Sequence, residues 1–422
     1  MSRVLVWKKV IPGGEYDIFR NVSCTQEYMV STNNSFNVGN RLWFQGLMSS
    51  VDTGENQYDY LTDGLAAEEI NAEYDFILLP MANIFNKQYL SGINFLSEAL
   101  SRIKIPIYVV ACGAQADSYD MLESLISTIG EPSKRFISAV YETGGEFALR
   151  GYFTKEFFNK LGFTSAVVTG CPSMYQLGRS FRAVSPTEEL QDKPVAFNGQ
   201  TEPLQKLIDQ CPESIYLDQD LFWNALYGKI DTALNLRSVL SDFCNYGSCA
   251  VRLLGQNRVC LIPDMHNWRT YLKENGFGYS FGTRIHGNVM AILSGIPATV
   301  VAADSRTREM AEFFHIPNQI HLPGHIYTLK ELEKLYWEAD YTEFNRTYQG
   351  KYDSYADFLV EHRIVSHINE SNNFFSAEND YFPPLIAKNT LYYSDVSEKI
   401  GKYKMFLAVA KSAVLMKNKL HK

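Results

Sequence analysis

Tyr74-Asp75-Phe76-Ile77-Leu78-Leu79 is followed by Ile93, Leu96, Ala99 and Leu100 at helical spacing, and then by Pro106-Ile107-Tyr108-Val109-Val110-Ala111. Two short, nearly continuous apolar runs on either side of an amphipathic helix predict two buried strands joined by a crossover, the unit of a parallel sheet. The alternation continues with a helix near Ser133 to Val140, a strand at Phe147-Ala148-Leu149-Arg150, a helix from Thr154 to Leu161 and a strand at Ala166-Val167-Val168-Thr169. Strand and helix taking turns at this spacing predict a doubly wound α/β sheet.

A second set of strands is expected at Val195-Ala196-Phe197, Ser214-Ile215-Tyr216-Leu217, Arg258-Val259-Cys260-Leu261-Ile262 and Ala298-Thr299-Val300-Val301-Ala302. Between the two sets, Ser180 to Pro194 is polar and marked by Pro186, Glu188, Glu189 and Asp192, the composition of an interdomain linker. The 422 residues, at roughly 100 to 200 per domain, agree with two sheet domains and more. The expected division is 1–185, 186–330 and a helical extension over 331–422, with a cleft between the two sheets. Beyond Leu329 the chain reads as helices rich in Tyr, Glu and Lys.

The composition is globular, with 46% apolar, 20% charged and 14% aromatic residues. Thirty-nine basic against 47 acidic side chains leave a net charge of −8, the wrong sign for neutralising a phosphate backbone, so nucleic acid is not expected as a partner. No run approaches the roughly 18 apolar residues of a membrane span, and Met1-Ser2-Arg3-Val4-Leu5-Val6-Trp7-Lys8-Lys9 turns charged early. A cytoplasmic enzyme is the expectation. Seven cysteines form no complete disulfide framework, and Cys244-x4-Cys249 lacks a second pair for zinc, so all seven read as buried thiols. No metal is expected, because Pro323 and Gly324 interrupt His321-x3-His325 and His362-x4-His367 has no third ligand in a recognisable pattern. Glycine-rich loops for nucleoside triphosphates or dinucleotides are missing, and no cofactor is predicted.

From Lys388 onward eight lysines face Asp395 and Glu398, with Met405, Val409, Ala413 and Met416 at helical spacing. Such a helix fits an anionic bilayer, each lysine adding about 1 kcal/mol. It equally fits a final helix packed on the body with a solvated lysine face.

Chemistry concentrates in Tyr279-Ser280-Phe281-Gly282-Thr283-Arg284-Ile285-His286-Gly287-Asn288, continuing through Val289, Ile292 and Leu293 to Gly295-Ile296-Pro297. This predicts a strand, a tight turn at Gly282, a cap at Thr283 and a helix ended by Gly295 and Pro297. Arg284 and His286 then stand at the positive end of a helix beside free amides, with Gly287 letting a ligand approach the backbone. A guanidinium, an imidazole and helix N-terminal amides in one place favour a small anion.

The same residues carry a resemblance. Gly282-Thr283-Arg284-Ile285-His286-Gly287, with Gly295-Ile296-Pro297 and Asp304-Ser305-Arg306 after it, is similar to the signature of the polysaccharide pyruvyl transferase family. Phe36-Asn37-Val38-Gly39-Asn40 resembles the family's N-terminal Asn-x-Gly turn ahead of a helix. Arg150-Gly151-Tyr152-Phe153-Thr154 and Gly170-Cys171-Pro172 resemble its Arg-Asp-x-x-Ser helix start and Gly-Asp-Pro turn, although Gly151 and Cys171 stand where many relatives carry aspartate. The match spans roughly residues 36 to 317.

The resemblance implies two Rossmann-like domains in a glycosyltransferase-B-like arrangement. It also implies transfer of the pyruvyl unit of phosphoenolpyruvate onto two hydroxyls of a sugar in an exopolysaccharide or capsule precursor. Arg150 from the first domain and Arg284 from the second would hold the donor's two anionic ends. His286 would act as acid or hold the departing phosphate, an imidazole near neutral pKa being able to do either. Asp304 is the candidate base for the sugar hydroxyl, although Asp304, Arg306, Arg308 and Glu309 also read as an ion-paired helix start. Asn37, Gly39, Asn40, Ile285, Gly287 and Arg306 are the further candidate binding residues. Cys112 and Cys171 have no histidine near in sequence and read as inert. The acceptor would be a glycan or lipid-linked oligosaccharide at the inner face of the membrane. A sugar-nucleotide glycosyltransferase and a non-catalytic glycan-binding protein are the competing readings.

Overall fold

The computed structural model describes residues 1–9, 38–51, 54–61, 65–190, 193–199, 207–217, 219, 258–260, 262, 265–366 and 368. Strands β1 (Arg3–Lys9), β2 (Gln57–Leu61), β3 (Phe76–Pro80), β4 (Ile107–Cys112), β5 (Glu146–Leu149) and β6 (Val167–Val168) form one six-stranded sheet in the order β2-β1-β3-β4-β5-β6. Strands β7 (Val195–Asn198), β8 (Ile215–Leu217), β9 (Val259–Cys260), β10 (Tyr279–Gly282), β11 (Ala298–Ala302) and β12 (Asn318–Ile320) form a second, in the order β12-β11-β10-β7-β8-β9. Every pairing in both sheets is parallel. The expected architecture of two doubly wound Rossmann-like α/β lobes is the one present. The strand order reverses between β1 and β3 in the first sheet and between β7 and β10 in the second, and such reversal points open the crevices where ligands bind.

Helices α1 (Val38–Val51), α2 (Ala67–Glu73), α3 (Leu90–Leu100), α4 (Leu122–Glu142), α5 (Tyr152–Lys160), α6 (Met265–Glu274), α7 (Ile285–Leu293), α8 (Ser305–Phe314), α9 (Leu329–Trp337) and α10 (Thr342–Glu361) flank the sheets. The central strands are largely apolar because helices cover both faces; β3 and β11 are buried at every residue. Three strands depart from expectation. β1, β2 and β12 were not anticipated, since β1 offers only Val4, Leu5 and Val6 before its lysines, β2 is a half-buried edge, and β12 is a polar edge of three residues. α4 is also far longer than Ser133 to Val140. It runs through Pro132, which can donate no backbone bond, because Leu125, Ile129, Ser133, Phe136, Ile137 and Val140 all bury one face.

Two apolar clusters hold the molecule together. One lies within the first lobe and includes Ile77, Val109, Phe136, Phe147 and Phe157. The other starts on the opposite face of that sheet at Val4, Leu78 and Val110, and continues through Phe281, Val289 and Val300 of the second lobe into α10. α10 presents Phe344, Tyr348, Tyr352, Tyr355 and Leu359 at helical spacing and carries the chain back onto the first lobe. There the Tyr355 ring stacks on Tyr175 with centroids 4.9 Å apart, its hydroxyl shares a 2.6 Å hydrogen bond with Ser50 Oγ, and Asp353 takes a bidentate pair from Arg179 at 2.7 and 2.9 Å. The expected helical extension is thus, over α10, a clamp across the lobes. The basic stretch from Lys388 lies outside the described residues. No described helix is long and apolar enough to cross a membrane.

Candidate active site

The second lobe's site is built at the reversal between β7 and β10. Gly282 closes β10 at φ 151°, and a Cβ there would overlap the Asn198 carbonyl at the end of β7, so only glycine passes. Arg284, in extended backbone, is the N-cap of α7, and its amide donates to Asn198 Oδ1 at 3.2 Å. Thr283 is therefore not the cap, as expected from sequence; its side chain packs against Gly199 instead. Beneath the turn, Asn198 Nδ2 donates to Ser280 Oγ and Asn288 Oδ1 at 3.0 and 3.1 Å, and Asn288 Nδ2 returns to the Gly282 carbonyl at 3.0 Å. A fully buried polar network of this kind fixes one backbone geometry, since breaking it strands several donors at once.

Onto this rigid turn the fold brings positive charge from both lobes. Arg150 follows β5 immediately, with its amide bonded to the Cys112 carbonyl at 2.8 Å. Its side chain is 1% exposed, and Nε and Nη2 have no hydrogen-bond partner among the described residues. Arg306, in the first turn of α8, sits 3.5 Å from Asp304 through Nη2, while its Nε is likewise buried without a partner among the described residues. Burial lowers the pKa of Arg306; Asp304 opposes that, and Arg150 and Arg284 push it further down. Arg150 and Arg284, drawn from opposite lobes, are thus both near enough for their charges to act on Arg306. His286 is 7% exposed, and burial, then Arg150 and Arg306, hold its pKa well below the ordinary histidine value. That direction favours the neutral ring, against the imidazole of near-neutral pKa expected from sequence. Its Nε2 lies 3.9 Å from the Sγ of Cys171, which also accepts from Ser173 Oγ at 3.2 Å. Cys171, read as a thiol remote from any histidine, is therefore the first-lobe neighbour of His286. Buried cations with idle donors are costly unless an anion completes them.

The sequence profile of polysaccharide pyruvyl transferase matches residues 32–305. The chain belongs to the polysaccharide pyruvyl transferase family. Among solved structures it is similar to S. aureus MnaA with UDP, at 11% identity and a TM-score of 0.39 over 88% of this chain and 100% of that one. It is also similar to the glycosyltransferase SnogD from Streptomyces nogalater, at 10% identity and a TM-score of 0.32 over 83% and 95%. No curated protein matches by sequence.

The other expected site residues of this family member divide into three groups. Asn37 lies outside the described residues, as does the side chain of Asn40; Gly39 is buried in the first turn of α1, which already includes both glycine and asparagine rather than following them. Ile285 is a core residue of the cluster that joins the lobes. Gly287 has a packing reason, because a Cβ there would lie 2.7 Å from Gln219 Nε2 and 2.9 Å from Asn198 Cγ. Its bare side faces protein, so the expected room for ligand is taken. Gly287→Ala is expected to cost about 1–3 kcal/mol by displacing this network, read as a lower denaturant midpoint at unchanged slope. An unchanged midpoint would mean that Gln219 moves aside freely.

Asp304 is the N-cap of α8. Its Oδ1 accepts from the Thr307 amide and hydroxyl at 2.7 and 2.8 Å, and its Oδ2 accepts from Gln115 Nε2 of the first lobe at 2.9 Å. The helix-start reading is what the geometry builds, and both oxygens are engaged, which disfavours the base role. Beside it, the Ser305 amide donates to the Ala116 carbonyl and the Ala116 amide to Ser305 Oγ. Glu309, expected with Asp304, Arg306 and Arg308 as an ion-paired helix start, instead bonds Thr154 of the first lobe. Burial raises its pKa to about 7, against the lowering effect of its bonds from Thr154 and of Arg150. The available signal was its place on the buried face of α8 with Ser305 and Phe313, at helical spacing. A separate groove of about 1080 Å³ opens at Val195, Ser214 and Leu329, where the strands of the second sheet begin. The arginine cluster stands at the opposite, carboxyl ends of the strands, the edge where sheets of this type place their sites.

Proposed function

We propose that this family member moves the pyruvyl unit of phosphoenolpyruvate onto two hydroxyls of one sugar in a cell-surface polysaccharide precursor. The observation that carries the reading is the buried Arg150 guanidinium, with idle donors, converging with Arg306, Arg284 and His286 from the other lobe. A donor with a carboxylate and a phosphate on three carbons supplies two anionic groups to such a cluster. The methylene carbon takes a proton as one sugar oxygen bonds to the central carbon and releases its own proton. The second sugar oxygen then bonds to that carbon, the carbon–phosphate oxygen bond breaks, and inorganic phosphate leaves carrying the second hydroxyl's proton, with the cyclic ketal formed. In this reading His286 gives the first proton or meets the departing phosphate, once the donor's charge has raised its pKa. The same reading puts the protein at the inner face of the membrane, where lipid-linked acceptors are assembled.

Purified protein incubated with phosphoenolpyruvate is expected to release phosphate only when a glycan acceptor is added, and the acceptor should gain mass as a ketal. Release of a nucleoside diphosphate from a sugar nucleotide instead would overturn the donor assignment in favour of glycosyl transfer.

A further inference from the structure

α5 begins at Tyr152 with Gly151 as its N-cap, in extended backbone and with no side chain to accept from the first turn. The missing acceptor comes from the other lobe. The Thr154 amide donates to Glu309 Oε2 at 2.9 Å, and the Thr154 hydroxyl reaches the two carboxylate oxygens at 2.8 and 3.0 Å. These replace the bonds that a Ser, Thr or Asp at the N-cap ordinarily accepts. A Cβ at position 151 would lie 2.8 to 2.9 Å from Glu309 Cβ, Cγ and Oε2. The φ of −171° at Gly151 suits any residue, so Glu309, not the backbone, is what excludes a side chain there.

The bonding continues towards the cluster. Thr154 Oγ1 also accepts from the Ala114 amide at 2.8 Å, tying the loop after β4 to the same carboxylate. A Cβ on Gly113 in that loop would lie 3.5 Å from Glu309 Oε1 and 3.8 Å from Arg150 Cδ. Glu309, 1% exposed, and the stem of Arg150 therefore both flank Gly113, and Arg150 is the residue just before the N-cap whose role Glu309 takes.

We propose that Glu309 is a positioning residue that caps α5 across the lobe junction and so holds Arg150 in the anion cluster. The proposal rests on reading that cluster as the donor site. Aspartate fits position 151 once Glu309 is shortened, which gives a reciprocal test. Inorganic phosphate is titrated by calorimetry into wild type, Glu309→Ala, Gly151→Asp and the double variant Gly151→Asp/Glu309→Ala. Unfolding midpoints are taken in parallel, and Glu309→Gln is included because it keeps the volume and one acceptor should the alanine variant fold poorly. Glu309→Ala is expected to weaken phosphate binding about tenfold, from the lost cap and the freed Arg150. Gly151→Asp alone should lower the midpoint through its collision with Glu309, and the double variant should recover both affinity and midpoint.

Unchanged phosphate affinity in Glu309→Ala, or a double variant as weak as Glu309→Ala alone, overturns the proposal; so does a wild type that binds no phosphate. The donor reading fails separately. If the rescue holds while phosphoenolpyruvate gives no acceptor-dependent phosphate release, pyruvyl transfer falls and the role of Glu309 stands.

Discussion

Arg150→Met is expected to reduce acceptor-dependent phosphate release by roughly 10³-fold and, at the same time, to stabilise the ligand-free protein. Both effects follow from one fact: the guanidinium is 1% exposed, and Nε and Nη2 have no partner among the described residues. An unmet buried donor costs about 1–3 kcal/mol, and a methionine, four side-chain heavy atoms against seven, fills the volume of the stem without carrying a donor. Removing a cation should also relieve His286 and Arg306, whose pKa values it depresses. Arg150→Lys is the control, since it keeps a charge but loses the planar fork that binds an anion with two parallel bonds. Steady-state rates and denaturant midpoints check the pair of outcomes. A methionine variant that turns over normally would remove Arg150 from the donor site, and one with a sharply lowered midpoint would mean that the guanidinium serves the fold.

Much of this architecture was legible because buried parallel strands are written as continuous apolar runs. β3, β4 and β11 follow directly from such runs and β10 from the strand-to-helix turn at Gly282, and so do Arg150 and Arg284, placed just beyond strand ends. Edge strands give no such signal: β12 has an alternation of exposed and half-buried residues over Asn318–Ile320. α4 shows tertiary burial overriding a local breaker, as Phe136 and Ile129 pack inward on either side of Pro132.

In the site, local motifs were readable and long-range partnerships were not. The Arg-Ile-His-Gly turn announces a strand-to-helix junction at its own address. The neighbour of His286 is Cys171, 115 residues away, and the partner of Glu309 is Thr154, at a separation of 155. Nothing in either local sequence encodes the other, because what joins them is the docking of α8 and α7 onto the first lobe. The same docking turns Asp304 from an expected base into a cap whose second oxygen is taken by Gln115. Composition could not show that Arg150, Arg284 and Arg306 lie near enough to act on one another, since the chain as a whole is acidic.

Burial first, and then the charge of Arg150 and Arg306, governs how His286 should behave. Its folded pKa lies well below the unfolded value of about 6.5, so the unfolded chain takes up the proton first. The neutral ring's contribution to stability is complete above about pH 6.5 and is lost as pH falls through the folded value. Binding a multiply charged anion between Arg150 and Arg306 offsets their part of the depression and adds a favourable charge partner, and phosphoenolpyruvate should therefore bring up to about one proton with it near pH 7. Calorimetry in buffers of different ionisation enthalpy measures that uptake directly. His286→Gln is expected to abolish the uptake, to flatten the loss of stability just below about pH 6.5, and to slow turnover by about 10²–10⁴-fold. If the glutamine variant binds the donor with the same proton uptake as wild type, the proton enters elsewhere and the imidazole is only a packing element against Cys171. If uptake disappears while the rate stays normal, His286 titrates with the donor but delivers nothing to its methylene carbon. Only the joint loss of uptake and rate makes the ring that meets the donor's charge also the source of the proton that activates it.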